Sequence, residues 1–204
     1  MRYKTILLFG APGSGKGTQG KILGSIPQMV HIACGDIFRD LRVGTPLGRA
    51  FLDYSGRGAL VPDDFTVQLW REHVEALVGL GRYDPESDLL ILDGIPRSVA
   101  QARLMQEHID VQRLYYLDCA DREKIHLRLK RRALHENRLD DASDATIQAR
   151  LYVYEAETAP VLNFYPPEIV RRIDTGRTPV EVLADILSDA RALMATIEKE
   201  HEDG

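Results

Sequence analysis

Cysteine is scarce in this sequence, with only Cys34 and Cys119 present. A disulfide framework and a four-cysteine zinc site both need more thiols than this, so both are excluded. The six histidines are scattered and show no metal-ligand spacing. We therefore expect no zinc, and the low cysteine content favours a reducing, cytoplasmic location.

Long apolar runs and an excess of positive charge are also lacking. No apolar run approaches the roughly 20 residues that a membrane-spanning helix requires, so we expect no membrane partner. Residues 1–4 lead straight into a strand-like segment without a cleavage-site pattern, so no signal peptide is predicted. The net charge of −5 argues against a general nucleic-acid-binding protein, although local arginine clusters can still bind small anions.

The most informative stretch that is present is glycine-rich and runs from Gly10 to Gln19. It follows an apolar run typical of a buried strand and precedes a segment that reads as the start of a helix, which is the context of a phosphate-binding loop. Glycines let the backbone N–H groups approach an anion, and the helix N-terminus adds partial positive charge. The predicted phosphate-binding residues are Gly13, Ser14, Gly15, Lys16, Gly17 and Thr18.

Within this loop, Lys16 is predicted to bind the β- and γ-phosphates, and the Thr18 hydroxyl is predicted to lie near a Mg²⁺ ion. The general pattern places Ser or Thr directly after the lysine, whereas here Gly17 intervenes. The alternative interpretation is a glycine-rich turn before an ordinary helix.

Five segments rich in apolar residues predict strands, and amphipathic stretches separate most of them. They are Tyr3–Phe9, Val30–Ala33, Leu89–Leu92, Arg113–Asp118 and Ile169–Ile173. Near-continuous apolar strands that alternate with helices indicate an α/β fold, in which helices cover both faces of a parallel sheet. The length of 204 residues allows one large or two small domains.

The glycine-rich stretch resembles the loop of the adenylate kinase family, whose form is Gly-x-Pro-Gly-Ser-Gly-Lys-Gly-Thr-Gln. The resemblance covers nearly the whole chain and includes residues 58–63, Gly-Ala-Leu-Val-Pro-Asp. It implies a single P-loop kinase domain over residues 1–204, with three layers and a central parallel sheet of five strands. It also implies a helical insertion that binds the nucleoside monophosphate, at about 33–62, and a short lid at about 133–144.

A second motif, from Asp93 to Arg97, ends the third predicted strand. The Asp93 carboxylate stands where a phosphate-loop enzyme keeps its Mg²⁺-side acid, although a simple strand-end cap is the alternative. An arginine fork such as that of Arg97 suits phosphate and keeps its charge at neutral pH. The family motif is Asp-Gly-Phe-Pro-Arg with a cis proline, so the resemblance implies a cis bond between Ile95 and Pro96.

The resemblance also implies an AMP site. Arg39 matches the family arginine that holds the acceptor phosphate, while Cys34 replaces a threonine beside the acceptor base and bonds more weakly. Asp36 is predicted to cap the helix before Arg39, and Asp63 the helix after Pro62. The Gln101 amide can pair at two points with an adenine edge. The implied AMP-binding residues are Cys34, Arg39, Leu60, Val61, Gly94, Arg97, Gln101, Arg138 and Arg150.

An arginine cluster follows the fourth predicted strand. The cluster begins with residues 128–132, Arg-Leu-Lys-Arg-Arg. Such a run is often a solvated helix face or a nucleic-acid-binding patch, but the acidic residues Glu136, Asp140, Asp141 and Asp144 argue against the patch. By resemblance, Arg128 stacks on the donor adenine, Arg132 and Arg138 bind donor phosphates, and Arg150 bridges the transferred group. Gly176 follows the last strand, where its backbone would meet the donor adenine. One extra residue precedes Arg150 relative to the commonest short-lid form.

We therefore expect a monomeric kinase that binds ATP and AMP, and that transfers the γ-phosphoryl group reversibly with Mg²⁺ to give two ADP. The expected catalytic residues are Lys16, Arg97, Arg132, Arg138 and Arg150, and the Mg²⁺-side residues are Thr18 and Asp93, acting through water. One alternative is a kinase for UMP or CMP, which Cys34 favours and Gln101 opposes. Another is a GTP-binding switch, but the guanine motif Asn-Lys-x-Asp is missing.

Overall fold

A computed structural model of the chain describes residues 2–41, 46–57, 59–136 and 143–202. Its strands form one sheet in the order β2-β3-β1-β4-β5, and every neighbouring pair is parallel. The strands are β1 (Tyr3–Phe9), β2 (Met29–Ala33), β3 (Leu89–Asp93), β4 (Ile109–Asp118) and β5 (Val170–Asp174). The predicted five-stranded parallel sheet is confirmed.

Four of the five strands differ in their bounds from the prediction: β2 begins one residue earlier, β3 and β5 each end one residue later, and the starts of β4 and β5 differ as well. Strand β4 begins at Ile109 rather than at Arg113, because residues 109–111 pair with the start of β1 before a shift in register. The polar residues Asp110 and Gln112 hid this extension in the sequence. Strand β5 begins at Val170 rather than at Ile169, since residues 167–169 form a short 3₁₀ turn.

Helices follow most of the strands. They are α1 (Lys16–Leu23), α2 (Cys34–Arg39), α3 (Pro46–Gly56), α4 (Asp63–Gly79), α5 (Val99–Met105), α6 (Arg122–Glu136), α7 (Asp144–Val153) and α8 (Pro179–Glu202). Directly after α7 come a π-helical turn, Tyr154–Thr158, and a 3₁₀ helix, Ala159–Phe164. Among the described helices, none combines the length and the apolar character needed to cross a membrane.

Both predicted aspartate caps are wrong. Helix α2 begins at Cys34, so Asp36 lies in its first turn and forms an ion pair with Arg39. Asp63 is the first residue of α4, and its carboxylate accepts a hydrogen bond from the Ser98 hydroxyl at 3.0 Å. Both carboxylates remain near a helix N-terminus, which favours negative charge. Asp36 pairs within its own helix, whereas the partner of Asp63 is 35 residues away and no local pattern reveals it.

Side chains of β1 alternate between two hydrophobic cores. Leu7 and Phe9 pack on one face with Trp70 of α4 and other residues of α4 and α5. Ile6 and Leu8 pack on the other face with Ile186 and its neighbours on α8. Successive strand residues point to opposite faces, so burial on both sides explains the continuous apolar runs.

Helix α8 is held to the sheet by a partly buried charge network around Asp189. The Tyr115 hydroxyl donates to Asp189 at 2.9 Å, and Arg113 Nε lies 2.9 Å from the same carboxylate. Arg171 Nε donates to its other oxygen at 3.1 Å. This network ties β4 and β5 to α8.

The sheet topology places the carboxyl ends of β1 and β3 side by side. These strands pair directly, with Leu8 opposite Asp93. The chain leaves β1 toward one side of the sheet and β3 toward the other, and ligands of open α/β sheets bind in the crevice at such a switch point. The glycine-rich loop and the Asp93 motif therefore flank one crevice.

Candidate active site

A cleft of about 720 Å³ opens at this edge of the sheet. The phosphate loop, the β2–α2 and β3–α5 connections, and residues of α6 and α7 contribute to its walls. Most of the predicted site residues that the structure describes lie along it, so side chains from distant parts of the sequence share one cavity.

The conformation of the glycine-rich loop requires glycine at several positions. Gly10, Gly13 and Gly15 have φ angles of 142°, 81° and 103°, which side-chain-bearing residues rarely adopt. A β-carbon at Gly10 would overlap the Leu117 carbonyl oxygen and lie 2.7 Å from Ser14 Oγ. A β-carbon at Gly15 would meet no atom within 4 Å, so the loop is open toward the cleft there.

Helix α1 begins directly after this loop. Gly15 is its N-cap, and because glycine has no side chain, no side chain at that position binds the N–H groups of the first turn. The leading N–H groups of such a helix favour an anion. Lys16 folds back over the loop, where its Nζ donates to the carbonyl oxygens of Gly10 at 2.8 Å and Ala11 at 3.0 Å. These features make the loop a candidate phosphate-binding site.

Positive charge is concentrated around Lys16. The pKa of Lys16 is lowered from the ordinary 10.5 to about 8. Withdrawal from water is the main cause, and the charges of Arg97, Arg132 and Arg150 add to it, while Asp93 opposes them. These groups come from α1, the β3–α5 connection, α6 and α7. The positive charges of Lys16 and the three arginines repel one another, so a bound polyanion would stabilise this arrangement.

The residues predicted on the Mg²⁺ side lie next to the loop. Asp93 ends β3 and lines the cleft, as does Thr18. A β-carbon at Gly17 would lie 3.5 Å from Asp93 Oδ2, an ordinary van der Waals distance, so the start of α1 lies close to this carboxylate. Mg²⁺ prefers oxygen ligands and is typically bound by one or two carboxylates together with substrate phosphates and water. A carboxylate and a hydroxyl beside a phosphate loop fit that ion.

No cluster of three or more potential metal-binding His, Cys, Asp or Glu side chains occurs within the described ranges. The described residues therefore do not form an all-protein metal cage.

Two predicted acceptor arginines are held in place locally. Arg39 pairs with Asp36 and lies over Gly35, where a β-carbon would be 3.1 Å from its guanidinium. Arg97 Nε donates to the Gly94 carbonyl oxygen at 2.9 Å, and its guanidinium lies over that glycine in the same way. The peptide bond between Ile95 and Pro96 is cis, as the resemblance implied.

Residues predicted to surround the acceptor base also line the cleft. Cys34, Leu60 and Val61 line it, together with Phe38 and Phe51, whose rings stack at a centroid distance of 5.0 Å. Burial raises the pKa of the Cys34 thiol from 9.0 to about 12, so the thiol stays protonated. It therefore offers the pocket only a weak hydrogen-bonding group.

Gln101 also lines the cleft, but part of its amide is already engaged. Its Oε1 accepts a hydrogen bond from the Arg97 backbone N–H at 2.7 Å. Its own backbone N–H donates to the Ser98 hydroxyl, which caps α5. Two-point pairing with an adenine edge would have to use the remaining lone pair of Oε1.

On the predicted donor side, Arg128 is fixed against the loop after β5. Its NH2 group donates to the Thr175 carbonyl oxygen at 2.8 Å. The structure does not bring Gly176 into the cleft lining, whereas its neighbours Thr175 and Arg177 are there. The Gly176 carbonyl oxygen accepts a hydrogen bond from Lys124 Nζ at 2.6 Å instead.

Three further arginines were predicted to bind phosphate groups. Arg132 and Arg150 line the cleft. Arg138 lies outside the described residues, as does most of the predicted lid beyond residue 136, so these stay predictions from the resemblance.

Several residues in the cleft were not predicted as site residues. Tyr154 and Thr158, on the π-helical turn, line it, and so do Arg131 and Arg177. The arginines lie within or near basic segments that the sequence shows. Nothing local marks Tyr154 and Thr158, because their position depends on the π-helical geometry after α7.

Comparison with known proteins agrees with this geometry. The family model described as adenylate kinase matches residues 8–170. The chain belongs to the adenylate kinase family. The adenylate kinase of Thermobifida fusca is 38% identical over 175 residues, which cover 83% of this chain and 88% of that protein. That of a Cyanothece species is 38% identical over 191 residues, covering 89% and 92%.

A third relative, the adenylate kinase of Thermus thermophilus, is 33% identical over 189 residues, covering 90% of this chain and 95% of that protein. The resemblance seen in the motifs thus extends over most of the chain. Members of the adenylate kinase family are phosphotransferases, so this chain is an enzyme of the nucleoside monophosphate kinase type, which disfavours the GTP-binding switch.

Proposed function

We propose that the protein transfers the γ-phosphoryl group of ATP to AMP, reversibly and with Mg²⁺, to give two ADP. The observation that carries the proposal is the convergence of Lys16, Arg97, Arg132 and Arg150 on one cleft at the phosphate loop. Two nucleotides that meet end to end each carry up to about two negative charges on the terminal phosphate. A cluster of fixed cations offsets that repulsion.

The cations are proposed to act by position and charge. Phosphoryl transfer requires little covalent chemistry from the protein, because orientation and electrostatic stabilisation lower most of the barrier. The acceptor phosphate is already an anion, so no general base is assigned. Arginine suits the role because its fork matches phosphate oxygens and stays charged.

Thr18 and Asp93 are proposed to hold the Mg²⁺ that accompanies ATP, Asp93 through water. When bound, the ion would neutralise charge on the β- and γ-phosphates. The phosphate loop from Gly13 to Thr18 is proposed to bind the donor phosphates and Arg128 to pack on the donor base. Arg138 is proposed to bind phosphate from the lid, on the resemblance alone.

On the acceptor side, Arg39 and Arg97 are proposed to bind the AMP phosphate. Leu60, Val61 and Gly94 would contact the nucleotide through backbone and apolar surface, and Gln101 would contact the base. The insertion at about 33–62 and the lid at about 133–144 are proposed to close over both nucleotides. Closure matters because an open site would transfer the phosphoryl group to water.

The base of the acceptor nucleotide distinguishes two candidate activities. A kinase for UMP or CMP is the second candidate, because the Cys34 thiol is a weaker hydrogen-bonding group than the family threonine. Gln101 opposes this alternative, since its amide suits an adenine edge.

The test is a panel of AMP, GMP, UMP and CMP, each assayed with Mg²⁺ and ATP for ADP formation. We expect AMP to give the highest kcat/KM by at least an order of magnitude, and Lys16→Met to be inactive as a control. A higher kcat/KM for UMP or CMP would support the second candidate. Absence of turnover with every monophosphate would contradict the proposed activity.

A further inference from the structure

Arg97 is held by its backbone as well as by its side chain. The Thr158 hydroxyl donates to the Arg97 carbonyl oxygen at 2.8 Å, and Gln101 Oε1 accepts from the Arg97 N–H at 2.7 Å. Thr158 is only 8% exposed and Gln101 only 1%, so water competes little for either bond. Both polar groups of the Arg97 peptide backbone are thus fixed by buried side chains.

These two side chains come from different parts of the chain. Gln101 lies on α5, one turn after Arg97, and is tied through the Ser98 hydroxyl to Asp63 at the start of α4. Thr158 is 61 residues away in sequence from Arg97 and belongs to the segment that follows α7. The contact from Thr158 is therefore the long-range one.

The π-helical turn explains how Thr158 reaches Arg97. Helix α7 carries Arg150 into the cleft, and the chain then changes from α- to π-helical geometry at Tyr154–Thr158. One residue added to a helical turn rotates the following side chains by about 100° relative to an uninterrupted α-helix. π-Helical turns are uncommon and often occur at functional sites.

We propose that Thr158 is a positioning residue for phosphoryl transfer, which fixes the direction of Arg97 and links it to the helix that carries Arg150. The inference rests on the proposed function, because the position of Arg97 matters only if Arg97 binds the transferring phosphate. Thr158 acts through Arg97 and does not itself touch the reacting atoms. Small displacements of a group that binds a reacting phosphate are enough to slow transfer.

Two substitutions isolate the hydroxyl. Thr158→Val keeps the shape and removes the donor, whereas Thr158→Ser keeps the donor and removes a methyl group. We expect Thr158→Val to lower kcat for ATP and AMP by about 10- to 100-fold with a smaller change in the KM for AMP. Thr158→Ser should remain within about threefold of the wild type in kcat. Thermal melting of both variants establishes that the assayed protein is folded.

A double-mutant cycle with Arg97→Ala decides between positioning and a general structural role. If Thr158 acts through Arg97, Thr158→Val should have little further effect on kcat in the Arg97→Ala background. An equal fold-loss in both backgrounds, or wild-type kcat in folded Thr158→Val, would overturn the inference. If Thr158→Val melts below the assay temperature, Thr158→Ala replaces it in the same cycle. Inactivity of the wild type itself would instead count against the proposed function.

Discussion

Replacing Arg97 with alanine should separate activity from stability. Within the described part of the chain the side chain makes one hydrogen bond, from Nε to the Gly94 carbonyl oxygen at 2.9 Å, and losing it should cost about 1 kcal/mol. Its charge also repels Lys16, whose pKa it lowers, so its removal relieves some unfavourable charge. The two effects oppose each other, and we expect the melting temperature to change by no more than about 4 °C.

Activity should respond far more strongly. Removing one group that stabilises transition-state charge typically lowers kcat by about 10²- to 10³-fold, which corresponds to roughly 3–4 kcal/mol. Initial rates of ADP formation from ATP and AMP measure the loss, and thermal melting measures stability on the same samples. Arg103→Ala is the matched control, because Arg103 is an exposed arginine on α5 outside the cleft. Unchanged turnover in Arg97→Ala, or a loss equal to that of Arg103→Ala, would refute the assigned role.

Two further predictions concern stability and a buried thiol. Asp189→Ala removes the carboxylate that contacts Tyr115 and Arg113, so we expect a loss of about 2–3 kcal/mol by thermal or urea unfolding, with kcat retained below the transition. Asp185→Ala breaks an exposed pair between α8 and Arg177, which precedes the helix, and should cost under about 1 kcal/mol. An equal loss in both variants would contradict the reasoning. Cys34 should resist alkylation in the native protein, because burial raises the pKa of its thiol to about 12. The labelling rate, measured by mass spectrometry, should not rise from about pH 7 to 9.5. Fast labelling would contradict this prediction. Because the folded thiol has the higher pKa, its contribution to stability is complete below the ordinary pKa of 9.0 and is lost as the pH rises toward 12.

Local sequence patterns were enough to predict the strand, loop and helix around which the site is built. The apolar run of β1, the glycines after it and Lys16 predict a strand, a phosphate loop and a helix, because each depends on chemistry within a few neighbouring residues. The same holds for Asp93 at the end of β3. The parallel sheet follows from the alternation of strands and helices, since consecutive parallel strands need a crossover between them.

The tertiary structure decided which groups the polar side chains contact. Asp63 accepts from Ser98 rather than capping α4, and the Gly176 carbonyl oxygen faces Lys124 rather than the cleft. Gln101 binds the backbone of Arg97 through an oxygen that the sequence assigns to a base. Such choices depend on distances between segments remote in sequence, which a linear pattern does not contain.

The charge state of the site likewise depends on several segments of the chain at once. Any lysine in a glycine-rich loop looks the same in sequence, but Lys16 has a lowered pKa because it is withdrawn from water among arginines from three other segments. Thr158 reaches Arg97 only because the helix after α7 changes to π-helical geometry. The sequence thus determined which residue types suit phosphate binding, and the folded arrangement decided how these side chains are charged, oriented and held, because those properties come from through-space contacts.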